Sequence, residues 1–365
     1  MESVMLREND LELIDALQIN PRASWAEVGA VLGMDPVTAA RRWKRLADDR
    51  LAWCTVALGQ RQLHTMSVAF LELTCEAGAA GQVAAELARQ PHMITVQHIA
   101  GSYDLWTIAI APDLAALSEY LLHQLPTQPG VTRVRTHIAT RAFDLSMRWR
   151  LRVLNTHQAA RLHPEPGTPA VTRPMDEIDR RLFVALSVDG RRSFAELEAE
   201  LGMSARTVQR RINRLVAVGD ITFRCDLARR LAGWHDSAVL WLAMPDDHLE
   251  STGEQLLRWP ETRTCAAVAG PNNLLLTVGL HGVADLHGLV TRLRHEFPHA
   301  TIVDRQMVLR QVKLYGRVLD PVGRWSSTTP LDLWALDSGT ASTGGPAPAV
   351  PSREVGRCFA EVKDM

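Results

Sequence analysis

No run of apolar residues in this chain approaches the roughly 18 needed to cross a bilayer, although 46% of its 365 residues are hydrophobic. A membrane partner is therefore not expected. The opening stretch, Met1 to Asp10, is acidic where a secretory leader would be basic and then apolar, so a cytoplasmic protein is expected. Cysteine is scarce: Cys54, Cys75, Cys225, Cys265 and Cys358 are odd in number, far apart and form no C-x-x-C. That pattern indicates neither a disulfide framework nor a zinc site, and no metal or other cofactor is expected. Also missing are a G-x-S-x-G elbow, a P-loop and an H-E-x-x-H helix. The 13 histidines are scattered, and pairs such as His281/His287 and His295/His299 lack the carboxylate or cysteine company of a catalytic or metal site. An excess of one charge is missing too, with 40 Lys plus Arg against 41 Asp plus Glu and a net charge of -1. Taken over the whole chain, this balance argues against a polyanionic partner.

What is present is a repeat. Sliding the chain along itself by 169 residues brings Asp10 to Leu46 onto Asp179 to Leu215 without a gap. Identical pairs include Asp10/Asp179, Leu13/Leu182, Arg22/Arg191, Ser24/Ser193, Glu27/Glu196, Gly33/Gly202, Arg41/Arg210 and Leu46/Leu215. The same offset pairs Gly101 with Gly270, Leu105 with Leu274 and Arg141 with Arg310, so one two-domain module is written twice.

Within each copy the first part reads as three helices. In copy two, Ile178, Leu182, Ala185 and Leu186 recur at helical spacing, Ser193 and Glu196 form a capping box, and Gly202 stops the second helix. Ser204 caps a third helix over Ala205 to Val218 that buries Val208, Ile212 and Leu215. Copy one repeats this with Ser24 and Glu27, Gly33, Asp35 as cap and Pro36 at the first helical position. The pattern is that of a helix-turn-helix. Its third helix carries Arg41, Arg42, Lys44 and Arg45 in copy one, and Arg206, Arg210, Arg211 and Arg214 in copy two, with no acid from Pro36 to Leu46 or from Ser204 to Leu215. A helix of this size fits the major groove, where Arg pairs with guanine and Asn or Gln with adenine. Thr38, Arg41, Lys44 and Arg45, with Arg206, Thr207, Gln209, Arg210, Asn213 and Arg214, are the candidate base and phosphate contacts. A trihelical bundle with a solvated basic face would show the same charges.

The second part alternates period. In copy one, Leu51 to Leu58 suits a wing or linking strand; strands follow at Ser67 to Leu73, Ile94 to Ile99, Leu105 to Ile110 and Val131 to Thr140, with helices at Gly81 to Arg89 and Leu114 to His123. Copy two matches, its last strand running from Ala300 to Leu309. The order βαββαβ is a ferredoxin-like sandwich with one sheet face left for a partner, which the other copy can supply. Between the middle strands lie Gly101-Ser-Tyr103-Asp104 and, in copy two, Gly270-Pro-Asn272-Asn273. Either is explained by a plain hairpin turn.

The helix-turn-helix pattern Leu201 to Leu215 and the Gly101-Ser-Tyr103-Asp104 turn resemble the Lrp/AsnC family of bacterial transcription regulators, over most of residues 6 to 320. The resemblance implies an α+β chain of two winged or helix-turn-helix domains and two ferredoxin-like domains in tandem, with a pseudo-two-fold inside one chain. The divisions are 1–60, 61–145, a linker 146–174, 175–231, 232–320 and a disordered tail 321–365. It implies a sequence-specific regulator that binds double-stranded DNA, forms an intrachain pseudo-dimer with scope for homodimers or higher oligomers, and responds to an amino acid or similar small effector. Carried over by position, Gly101, Tyr103 and Asp104, with Gly270, Asn272 and Asn273, would line the effector site; the change from Asp104 to Asn273 removes a charge from the second. The same architecture resembles siroheme decarboxylases, which also occur as two related units and hold tetrapyrrole carboxylates with His and Arg. This is the enzymatic alternative to a non-enzymatic regulator.

Overall fold

The computed structural model describes residues 6–163, 170 and 172–336. Copy one runs α1 (Glu8–Ile19), α2 (Trp25–Leu32), α3 (Pro36–Asp48), β1 (Ala52–Leu58), α4 (Gln60–Leu63), β2 (Ser67–Cys75), α5 (Ala80–Arg89), β3 (Met93–Ala100), β4 (Leu105–Ala111), α6 (Leu114–Glu119), β5 (Val131–Leu145) and α7 (Thr156–Leu162). Copy two runs α8 (Glu177–Val188), α9 (Phe194–Leu201), α10 (Ala205–Ala217), β6 (Ile221–Leu227), β7 (Asp236–Ala243), α11 (Asp246–Leu256), β8 (Thr262–Val268), β9 (Leu274–Leu280), α12 (Asp285–Glu296) and β10 (Thr301–Leu314), then β11 (Arg317–Leu319) and β12 (Trp325–Thr328). Both capping boxes form, Ser24 with Glu27 and Ser193 with Glu196, and Gly33 and Gly202 end α2 and α9 at φ 67° and 70°. Only glycine takes that left-handed conformation freely, so the turn before the third helix is set by the sequence.

The two helical units are interleaved. β1 pairs antiparallel with β6, and Thr55 lies opposite Arg224, its own repeat equivalent, so the pseudo-two-fold axis passes through this pair. Neither strand is a free wing. α1 packs on β6 and α8 on β1, so each helical unit completes its core with the other copy's strand. Arg22 and Arg191, also repeat equivalents, cross the interface in opposite directions. Arg22 donates to the carbonyls of Gly190 (2.6 Å) and Arg192 (3.1 Å), and Arg191 to those of Pro21 (2.5 Å) and Ala23 (3.0 Å). Each guanidinium also faces a ring of the other unit, Phe194 at 5.1 Å and Trp25 at 4.1 Å.

The strands form a closed ring. Each copy contributes a four-stranded sheet, β3-β4-β2-β5 and β8-β9-β7-β10, and the edges join through β5 with β8 and β10 with β3. β5 serves its own copy as far as Ile138 opposite Ala69, then pairs with the other copy from Ala139 opposite Val268 to Leu145 opposite Thr264. β10 does the same, leaving β7 at Met307 and reaching Leu314 opposite Thr95 of β3. Both strands therefore run past Thr140 and Leu309, where periodicity alone would end them, because the extension is paired only by the other copy. The ring encloses Phe70, Trp106, Ile108, Val239, Trp241 and Leu275, while α5 and α12 cover apolar residues on its outer side.

Two boundary expectations are corrected. The expected linker is structured over its first part: Trp149, Leu154 and Leu162 enter the core of the first helical unit. Buried Asp15 ties them down, accepting from Arg150 Nε (2.9 Å), Arg152 N (3.2 Å) and Leu154 N (2.9 Å). The tail is likewise ordered up to 336, since β12, Leu331, Leu333 and Trp334 pack into the second unit, Trp334 edge-on to Phe183. The rest of the expected tail, 337–365, lies outside the described residues.

Asp144 and Lys313 hold equivalent positions at the ends of the two long strands, and both are buried. Burial raises the Asp144 carboxyl to about 6, against opposing hydrogen bonds from the Arg148 and Met147 amides. Burial lowers Lys313 to about 7 while its Nζ donates to the Gln90 carbonyl (2.7 Å). An unfolded lysine titrates near 10.4, so between these values the unfolded chain binds more protons and the site's contribution to stability rises with pH. Lys313→Met should raise the thermal midpoint most at pH 6, with a gain that shrinks towards pH 10; equal gains at both would contradict the buried-charge account. Arg191→Ala should cost about 1–3 kcal/mol in denaturant unfolding, because two buried carbonyls lose their donor.

Candidate nucleic-acid interface

The third helix of each unit starts on a defined cap. Asp35 accepts from Val37 N (2.8 Å) and Thr38 N (3.3 Å), and Ser204 Oγ from Thr207 N (3.3 Å). The caps fix the helix phase, so Ala39 and Leu46, or Val208, Ile212 and Leu215, point inward. Outward on α10 are Arg206, Gln209, Arg210 and Asn213, and on α3 Arg41, Lys44, Arg45 and the apolar Val37. Thr38 and Thr207 are half-buried in the first turn.

The basic residues divide into two groups. Arg45 Nη2 sits 2.6 Å from Asp10 Oδ1 and its equivalent Arg214 Nη2 2.6 Å from Asp179 Oδ2. Arg42 approaches Asp10 at 3.9 Å, and Arg211 Nη1 bonds Asp179 (2.7 Å) and Asp176 (2.9 Å). Both Asp10 and Asp179 are buried on the first helix. These arginines tie the third helix to the first, which holds the exposed face in place. Although partial burial would raise it, the Asp176 carboxyl is held down to about 2 by the hydrogen bond and charge of Arg211 and by Arg173. Lys44 pairs with Asp48 (2.5 Å) in solvent, where such a contact contributes little. Arg41, Arg206 and Arg210 are exposed and carry no ion pair among the described residues. The helix-one aspartates escaped the sequence reading, although Asp10 and Asp179 are an identical pair of the repeat.

At the turns between the middle sheet strands the structure brings Gly101, Tyr103 and Asp104 to one strand end and Gly270, Asn272 and Asn273 to its equivalent. Asp104 Oδ2 accepts from Cys75 N (2.7 Å). In copy two Asn273 Oδ1 accepts from Met244 N (3.1 Å), and its Nδ2 donates to Met244 O (2.8 Å) and Asp246 Oδ1 (2.9 Å). Cys75 and Met244 are repeat equivalents, so carboxylate and amide do one job: each pins the turn to the end of the first sheet strand. Tyr103 is buried with the Arg135 guanidinium 5.3 Å from its ring, and Gln306 of copy two packs against Gly101. Nearby, Glu72, missed by the sequence reading, is buried and accepts from Trp241 Nε1 (2.7 Å), with His137 Nε2 at 3.4 Å and its ring stacked on Trp241.

Comparison with known proteins agrees with this architecture. A model of the AsnC-type helix-turn-helix domain matches residues 8–47 and 175–216, and a model of the Lrp/AsnC ligand binding domain matches residues 68–149. Both helical units thus match the AsnC-type helix-turn-helix domain and the first sheet unit the Lrp/AsnC ligand binding domain, a resemblance to the Lrp/AsnC family in a tandem-duplicated arrangement. It is 29% identical over 126 residues to the HTH-type transcriptional regulator LrpA of Mycobacterium tuberculosis, covering 33% of this chain and 81% of that one. It is 27% identical over 149 residues to the proline dehydrogenase transcriptional activator of Rhizobium radiobacter, covering 40% and 96%. To the siroheme decarboxylase NirDL subunit of Paracoccus pantotrophus it is 29% identical over 165 residues, covering 45% and 49%. A crystal structure of siroheme decarboxylase NirDL superimposes with a TM-score of 0.53 over 84% of this chain and 93% of that chain, at 14% identity, which shows a shared fold.

If Asp104 acts by pinning its turn, Asp104→Asn should shift unfolding by less than about 0.5 kcal/mol, whereas Asp104→Ala should cost about 1–3 kcal/mol. Denaturant titration of the two variants checks this, and equal losses would refute it.

Proposed function

We propose that this chain is a sequence-specific DNA-binding transcriptional regulator with two non-identical reading heads. The observation that carries the reading is the pair of third helices, each presenting an exposed basic face from a unit fixed to the other through the β1–β6 ribbon. Arg41 and Arg210, with Arg206, Gln209 and Asn213, are the side chains free to meet base edges, while Lys44 and the partly exposed Arg45 suit phosphate. Arg214, more buried than Arg45 and held by Asp179, positions the helix and acts on DNA through it. Thr38 and Thr207, beside the helix N-termini, suit phosphate contact. Paired heads meet successive major grooves, so half-sites about 10 bp apart, or a multiple of that, are expected. Because Ala40, Trp43 and Lys44 occupy the positions of Gln209, Ile212 and Asn213, the operator should be an imperfect palindrome.

By family resemblance the sensor ring answers to a small effector such as an amino acid, with the Gly101 and Gly270 turns as the places to look. The molecule acts in the cytoplasm, as an intrachain pseudo-dimer able to associate further. Selection of bound duplexes from a random pool, with and without amino acids, tests specificity and effector response together. On a selected duplex, Arg41→Ala and Arg210→Ala should each weaken binding by about 1–3 kcal/mol, roughly 5- to 150-fold; unchanged mobility-shift titrations for both would refute the assignment. The fold shared with NirDL favours a second reading, a siroheme decarboxylase-like enzyme, which a Soret band shift on adding siroheme would support.

A further inference from the structure

Arg263 is an unusual residue for its surroundings. It is 4% exposed, with no carboxylate in ion-pair contact among the described residues. Its guanidinium lies against two indoles that meet edge-on, 3.9 Å from the Trp149 ring and 4.4 Å from Trp234. Nη1 donates to the carbonyls of Pro260 (3.1 Å) and Glu261 (3.0 Å), while Nη2 has no partner. A buried cation left with an unused donor is costly, and proteins normally pair or neutralise such groups. Burial and the neighbouring Arg229 both depress its pKa.

Arg263 lines a cavity of about 70 Å³ whose walls also include Leu227, Gly279, Leu314, Arg229 and Arg310. The cavity lies where the end of β6, which packs on α1 of the first reading head, turns into the second sensor sheet. The repeat supplies an internal control. Leu227, Arg263, Gly279 and Leu314 correspond to Leu58, Ile94, Ile110 and Leu145, and those four line an apolar cavity of only about 10 Å³. Two coupled differences separate the sites: isoleucine has become arginine at 263 and glycine at 279, and a Cβ at Gly279 would overlap the guanidinium. Only one copy has been opened and given a charge.

We propose that the copy-two cavity is a binding site for a small carboxylate held by Arg263, with Arg229 and Arg310 around it. At about 10–15 Å³ for each water-sized centre, the space suits a molecule of roughly five or six non-hydrogen atoms. The carboxylate would face the Arg263 guanidinium, whose Nη2 packs against Gly279, and its short apolar part would face Leu227 and Leu314. Asp236 and Asp320, also in the wall, disfavour a dianion such as phosphate. The site is separate from the Gly101 and Gly270 turns and does not depend on DNA being the partner.

Calorimetric titration of the full chain with sodium pyruvate, sodium acetate and inorganic phosphate, each at matched ionic strength, tests the proposal. Saturable binding of pyruvate or acetate is expected, weakened at least tenfold in Arg263→Ile, which restores the residue of copy one. Arg263→Ile should also unfold at a higher temperature than the parent without ligand, since an unpaired buried charge is removed. If that variant does not fold, Arg310→Ala on the exposed rim should still weaken binding about threefold or more. Absence of carboxylate binding to the parent, binding unchanged in the variants, or binding of phosphate alone would each overturn the proposal.

Discussion

The pairing of β1 with β6, with the reciprocal arginines beside it, is the constraint on which the molecule depends. A two-stranded ribbon alone is marginal in water. Here each strand is also the floor of the other unit's helical core, and Arg22 and Arg191 satisfy carbonyls that would otherwise be buried without donors. Separating the two helical units would therefore open two cores and strand four hydrogen bonds at once. The two third helices keep their relative placement because the units that carry them share this ribbon and its cores.

The sheet half uses a different device for the same end. The long strands β5 and β10 divide their length between the two copies, so the eight-stranded ring has no free edge between modules. Closure of this kind removes the unpaired strand edges that invite wrong association. It also joins two copies that need no longer be alike. In a homodimer a substitution appears on both sides of the axis; in one duplicated chain it appears once. Lys313 at the position of Asp144, Arg263 at that of Ile94 and Asn213 at that of Lys44 are products of that freedom, at a strand end, in a cavity and on a third helix.

The duplication, the third helices and the βαββαβ order were legible because each rests on local signals: capping boxes, left-handed glycines and a change of hydrophobic period. The extended strand ends were not, since Arg141 to Leu145 and Arg310 to Leu314 become strand only against an edge far away in sequence. The site was half legible. Its basic residues stand out, but charge counting treats Arg41 and Arg45 alike, and only the position of Asp10 separates an exposed cation from one tied to the first helix. Asp104 has a structural contact that the sequence did not show: it holds the Cys75 amide, and Asn273, which lacks the charge, keeps an acceptor for the equivalent Met244 amide.

By itself, the sequence determined that two copies of one module exist, which segments are helix or strand, and which helix faces are basic, because these follow from interactions within a few residues along the chain. Tertiary structure alone decided how the copies interleave, which arginines stay exposed, and that only one of two equivalent cavities is open and charged. Those outcomes depend on which side chains meet across the pseudo-two-fold axis, and periodicity carries no information about that.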